Sequence, residues 1–292
     1  MRTLLLGNTG QLGWELERCL GTLGELYATD YPEVDLADPS RVQQLFQRYR
    51  PQVIVNATAY TAVDRAESEP ELAMAINGSG PGLLAEEARR LGSALIHFST
   101  DYVFDGKKGL PYLEDDTPNP LSVYGKSKLA GESAVQDVGG SWLVLRTSWV
   151  YSLRRDSFVT KVLSWSRQHT QLKLVTDQVS NPTWCRALAE VTAQTLATGG
   201  KHIVPWLAER SGLYHLAGWG YTSRMEWGQA ILRYDPHKSE QIVENLLPAV
   251  TSDYPAPAER PLFSALNCER FTSTFALRLP DWEYSLRLAM QN

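Results

Sequence analysis

Cysteine is scarce in this chain. Only Cys19, Cys185 and Cys268 occur in 292 residues, far apart, odd in number and outside any CxxC or Cys/His spacing. That excludes a disulfide framework and a zinc centre and fits a reducing compartment. Long apolar runs are also missing. The N-terminal MRTLLLGNTG has three consecutive leucines before Gly7, too few for the apolar region of a signal peptide. No stretch approaches the roughly 18 continuous apolar residues that span a bilayer. A cytoplasmic location with no membrane partner is the expectation. Nor is there an excess of positive charge: Lys and Arg number 28 against 33 Asp and Glu, for a formal net charge of -5 and a pI of about 5.6. No global positive field draws a nucleic acid, so an anionic ligand has to be held locally. The five histidines form no metal or triad spacing, and His97, inside an apolar run, is expected to be a satisfied core residue.

What is present is a globular composition, 43% hydrophobic. Apolar runs at 3–7, 26–29, 53–57, 94–99 and 142–147 have strand length, and segments rich in Ala, Leu, Glu and Arg lie between most of them. This rhythm predicts an α/β fold, a doubly wound parallel sheet covered on both faces. After Tyr151 it loosens into a helix over 158–167, a strand at 172–175, a helix over 183–196 and a strand at 213–216. A region dense in Pro and Trp follows, with 253–261 a rigid loop candidate.

The first run leads into Gly7-Asn8-Thr9-Gly10-Gln11-Leu12-Gly13, glycines three apart, and then a helix-like segment from Trp14. Such glycines allow a tight turn, a close approach of backbone to a pyrophosphate and helix-on-strand packing, while the helix N-terminus offers free N–H groups to phosphate. This turn is the candidate dinucleotide site. Asp30 closes the second run, where an acidic residue accepts from the adenosine ribose; taken alone it favours NADH, because it repels a 2′-phosphate. Arg2, Arg18 or a side chain just beyond the second run could relieve that repulsion. Asp35-Leu36 and Ala59-Tyr60-Thr61 fall in range of the adenine and of the nicotinamide-side ribose. Residues 1–150, with returns near 183–217, are thereby assigned to a Rossmann-like dinucleotide-binding domain, and 151–182 with 218–292 mainly to a smaller substrate-binding lobe.

Tyr124-Gly-Lys-Ser-Lys128 opens another helix-like segment, and an i, i+4 pair points both side chains along one face. A phenol titrates near 10, and a neighbouring ammonium brings it toward a working range for acid–base catalysis. The spacing recurs at Tyr234–Lys238, but Pro236 breaks the helix that would align that pair. Thr100, at the end of the fourth run, could share a substrate carbonyl with Tyr124. Asp101 and Tyr102 read equally as turn residues or substrate contacts, and Trp149 as core or as a wall for a sugar ring.

These stretches together resemble the dTDP-4-dehydrorhamnose reductase family, within the extended short-chain dehydrogenases. GNTGQLG, VIVNATAYTAVDRAESEPELA, STDYVFDG, VYGKSKLAGE, RTSWVY and the late Arg260-Pro261 with Ser264 and Leu266 run in the family's order over nearly the whole chain. The resemblance implies reduction of dTDP-4-dehydro-β-L-rhamnose by NADPH, NADH also serving. It implies Tyr124 as proton donor, Lys128 as ribose ligand and tuner of the phenol, and Thr100 as the group that orients the carbonyl. It places Asp101, Tyr102, Trp149 and Arg260 at the sugar nucleotide. Two departures stand out. Ser122 replaces the usual Asn two residues before the tyrosine. Some members dimerise through a magnesium site, but Arg186 stands where an acid is expected and only Glu15 and Glu190 remain, so a homodimer is carried over and the metal is not. A non-catalytic regulatory subunit like that of methionine adenosyltransferase, and a reductase or epimerase of another nucleotide-linked keto-sugar, stay open as alternatives.

Overall fold

The central apolar runs become strands because both of their faces can be buried, while the run at the sheet edge, Glu25–Thr29, is covered only in part. In β1 (Arg2–Leu6), Leu5 joins one hydrophobic cluster while Leu4 and Leu6 join another. In β3 (Val53–Asn56), Val53 and Val55 point to the first and Ile54 to the second. Alternate side chains leave a strand on opposite sides, so two covered faces require a near-continuous apolar run. The computed structural model, which describes residues 1–291, sets these strands in a six-stranded parallel sheet. With β2 (Glu25–Thr29), β4 (Ala94–Thr100) and β5 (Ser141–Thr147), the order is β2-β1-β3-β4-β5 followed by Gly212–His215.

Helix α1 (Gln11–Leu20) and the helix Cys185–Gly199 cover one face, contributing Leu16, Leu20, Leu188 and Leu196. Helix α2 (Pro39–Tyr49) and the helices Gly80–Leu91 and Val123–Val138 cover the other, through Phe46, Leu84 and Val135. The order reverses between β1 and β3, and their carboxyl ends open the crevice where ligands bind in such sheets. The second half adds its own cluster around Trp227, Tyr151 and Ile231, built by the helices Phe158–Ser166, Arg224–Tyr234 and Trp282–Ala289. A parallel pair, Gln171–Val175 with Asn245–Ala249, flanks it.

Helix starts differ from the sequence reading. Helix α1 begins at Gln11 rather than Trp14, so Gly13, the last glycine of the turn, is already helical. The long helix begins at Cys185, because Thr183–Trp184 pairs as strand with Val150–Tyr151. The second YxxxK is not one helix: it ends at Tyr234, and Lys238 opens a separate turn. No helix among the described residues is long and apolar enough to cross a membrane.

The helix Val123–Val138 is clamped to the sheet by charge. Glu132 receives the Arg146 guanidinium of β5 in a fork, Nε–Oε1 2.9 Å and Nη2–Oε2 2.6 Å, with side chains 4% and 3% exposed. The Ser99 hydroxyl donates to the same carboxylate at 2.5 Å. Removing one partner of such a pair strands the other charge in a dry interior. Arg146→Met should therefore cost about 3–5 kcal/mol in urea unfolding, and Glu132→Leu combined with Arg146→Met distinctly less. Equal losses in single and double variants would deny the clamp its role.

Candidate active site

Gly7 follows β1 with φ +86°, and a Cβ there would lie 2.9 Å from the backbone of Ala57 and Thr58, just past β3. Only glycine lets the chain turn there against the neighbouring strand end. Gly13 seats α1 on that turn: a Cβ on it would fall 1.9 Å from the Gly7 carbonyl oxygen. Gly10, the N-cap of α1, carries no side-chain cap, so the first N–H groups of the helix are left for an anion.

This turn borders a cleft of about 1010 Å³ at the carboxyl ends of the strands. Gly7, Thr9, Gly10, Gln11 and Leu12 line it together with Asp30, Asp35 and Leu36, and Ala59 and Thr61 border it from beyond β3. Thr100, Asp101, Tyr102, Tyr124, Lys128, Trp149 and Arg224 line the rest. Three residues named from the sequence stand back from its wall. Gly13 lies beneath Gly7. Tyr60 turns away because its hydroxyl donates to Glu69 at 2.7 Å and its amide to Asn77. Arg260 is drawn off by Asp64, Nη2–Oδ2 2.7 Å.

Ser122 caps the helix that carries the YxxxK pair, its hydroxyl accepting from the Gly125 N–H at 3.2 Å, so the serine keeps a capping function. A Cβ on Gly125 would meet the Tyr102 carbonyl at 2.3 Å, which brings this helix hard against the turn after β4. The Tyr124 and Tyr102 rings meet edge to face at 5.8 Å. Burial raises the Tyr124 phenol well above its ordinary value, with the Thr100 hydroxyl working in the opposite sense. Lys128 is 2% exposed and donates to the Phe98 carbonyl at 2.6 Å. Burial lowers it to about 8, against the charge of Glu132.

Asp101 is buried, and its carboxylate accepts from Thr100 at 3.2 Å, Ser180 at 3.1 Å and Ser264 at 2.5 Å. Burial raises it despite these donors. Trp149 occupies the left-handed region, φ 40°, a conformation that costs a bulky side chain on the order of 1–3 kcal/mol. Its indole stacks on Trp227 at 5.4 Å and 12° and carries the Arg224 guanidinium 3.6 Å from its own ring centre. Arg224 was not singled out from the sequence; its only local signal is the Ser223/Glu226 capping box that starts its helix. Among the described residues it meets no carboxylate at ion-pair distance, and burial brings it down to about 10.

Past Asp30 lies a second cavity of about 650 Å³, bordered by Tyr31, Arg41 and Arg48. Arg2 and Arg18 are committed elsewhere, Arg2 to the Arg50 carbonyl and Arg18 to the Trp14 carbonyl and ring. Asp30 itself accepts from the Thr9 amide and hydroxyl and from the Tyr31 amide. At the α1 face, Arg186 pairs with Glu190 at 3.1 Å, and burial raises Glu15.

The whole chain, residues 1–292, matches the family model described as RmlD substrate binding domain. A dTDP-4-dehydrorhamnose reductase of Burkholderia thailandensis is 41% identical over 100% of this chain and 99% of that protein. The chain belongs to the dTDP-4-dehydrorhamnose reductase family. Among solved family structures, the Clostridium acetobutylicum reductase aligns with a TM-score of 0.89 at 33% identity, covering 100% of this chain and 99% of that one. The Bacillus anthracis reductase, in complex with NADP, aligns with a TM-score of 0.89 at 31% identity, covering 99% and 98%.

The Gly7–Gly13 contact offers a direct check on the turn. Gly13→Ala forces a Cβ onto backbone, and should lower stability by about 1–3 kcal/mol, read from the thermal midpoint. An unchanged midpoint would mean that the turn relaxes freely.

Proposed function

We propose that this chain reduces dTDP-4-dehydro-β-L-rhamnose to dTDP-β-L-rhamnose with NADPH, NADH also serving. The observation that carries this is a single cleft joining the glycine turn after β1, the Thr100 hydroxyl at the end of β4 and the Tyr124–Lys128 pair. Membership of a family whose curated relatives are reductases supports the enzymatic reading over the regulatory one.

The residues fit a dinucleotide. Bare glycine backbone and an uncapped helix suit a pyrophosphate, and Asp30, Asp35 and Leu36 line the cleft beside them. Arg41 and Arg48, in the cavity past Asp30, supply positive charge that a 2′-phosphate needs. When bound, the dihydronicotinamide supplies the hydride for the carbonyl carbon of the sugar. Tyr124 delivers the proton to the carbonyl oxygen. Its raised pKa keeps that proton in place at neutral pH until negative charge develops on the substrate. The Thr100 hydroxyl, held between Asp101 and the Tyr102 amide, can turn to the same oxygen and share its charge. Trp149 presents a ring face for the sugar, and Arg224 a guanidinium for the diphosphate.

The test is to give the purified chain dTDP-4-dehydrorhamnose, follow oxidation of NADPH and NADH, and identify the sugar. No oxidation of either cofactor, or a sugar other than dTDP-rhamnose, would sink the reading. Tyr124→Phe should lower kcat by about 10²–10⁴-fold with little change in substrate affinity. Near-normal turnover would remove the phenol from the mechanism. Arg224→Gln should lose a charged hydrogen bond of about 1.5–3 kcal/mol and raise the KM for the sugar nucleotide roughly ten- to a hundredfold. The KM for NADPH should stay near its original value, and a rise in both would point to general disruption instead.

A further inference from the structure

One buried side chain of the site has no part in the reading above. His97, in the middle of β4, is fully buried and is the register partner of Asn56 at the end of β3. Asn56 Oδ1 accepts from both the amide and the hydroxyl of Thr58, at 3.1 and 2.6 Å. A backbone N–H can only donate, so the carboxamide oxygen must face Thr58 and its NH₂ must face the ring. Asn56 Nδ2 accordingly donates to His97 Nδ1 at 3.0 Å.

That fixes the tautomer. Nδ1 accepts, so the ring is neutral and its single proton sits on Nε2. Nε2 lies 3.2 Å from Lys128 Nζ. An N–H pointed at a nitrogen needs a lone pair there, which an amine has and an ammonium lacks. Nζ meanwhile donates one of its own hydrogens to the Phe98 carbonyl.

We propose that His97 is a positioning residue for Lys128: its Nε2–H favours the neutral amine form of the lysine in the ligand-free chain, and that amine takes up a proton from solvent when the dinucleotide binds. Protonation and reorientation are then one event. An ammonium is repelled by Nε2–H and turns its donors to the cleft, where ligand oxygens and Tyr124 lie. The identity of that ligand rests on the function proposed above.

The surrounding charges leave the amine free to do this. On its own helix, Glu132 is committed to Arg146 of β5, and the Tyr124 phenol is neutral. After β4, Asp101 is occupied by hydroxyls. From the segment before Gly80, Asn77 faces the helix through Ser127 and the Tyr60 backbone, without charge. Burial lowers Lys128 to about 8, and an N–H aimed at the amine favours that form further. Lys128 is not among the groups that shift the Tyr124 phenol in this state.

The experiment is calorimetry of NADP⁺ binding near pH 8.5 in buffers of different ionisation enthalpy. The chain should take up most of one proton per dinucleotide, and its Kd should weaken toward roughly tenfold per pH unit above the lysine's midpoint. In His97→Gln the side-chain carbonyl accepts from an ammonium, so uptake should vanish and Kd should stay level from pH 7 to 9. Binding without proton uptake, or equal uptake in His97→Gln, overturns this proposal alone. No binding of NADP⁺ or NAD⁺ overturns the functional reading and the proposal with it. If His97→Gln fails to fold, the Lys128 ¹³Cε resonance of the ligand-free chain decides: a midpoint at or below about pH 8 is expected, and one near the ordinary lysine value overturns the proposal.

Discussion

A carboxylate and a guanidinium buried together between helix and sheet decide where the reactive groups of this protein can stand. Tyr124, Lys128 and Glu132 follow one another at intervals of four along the helix Val123–Val138, so they share a stripe. Glu132 is fastened to Arg146 and Ser99, Lys128 reaches the Phe98 carbonyl, and Tyr124 lines the cleft. The stripe thus runs from an anchor to the cleft, and the anchor sets the angle of the whole face. Glycine at 125 lets the near end approach the turn after β4 closely, and Thr100 and Tyr124 line one cleft.

The parts of this arrangement that were legible in the sequence are those set by short-range physics. Strands buried on both faces must be apolar without interruption, and a turn that backs onto a neighbouring strand end must be glycine. A pair of residues one helical turn apart must share a side. The misplaced residues depend instead on partners distant in the chain. Tyr60 turns away for the sake of Glu69, and Arg260 for Asp64, 196 residues earlier. Ser180 and Ser264 meet on Asp101 from separate loops, a convergence that no periodicity announces. Arg224 was invisible for a related reason: an arginine in a capped first turn looks like any solvated charge until Trp149 is found beneath it. His97 was expected to be a satisfied core residue, and it is buried and hydrogen-bonded at both ring nitrogens.

The chain carries more acid than base, yet positive side chains gather around the cleft and the cavity beside it. Arg41 and Arg48 border the cavity at one end, and Arg224 the cleft at the other, with the uncapped start of α1 between them. Local placement replaces a global field. It also divides labour between the halves of the chain, since the first supplies the turn, the phenol and the lysine, while Trp149 and Arg224 are held by the cluster around Trp227.

That cluster gives the protein a built-in optical gauge. Trp149, in the wall of the cleft, lies nearly parallel to the buried Trp227 behind it, beneath a guanidinium. Indole emission is sensitive to a cation resting on the ring, so an anionic guest that draws Arg224 aside changes the light these two residues give out. Occupancy of that end of the cleft can be followed from the unlabelled protein itself.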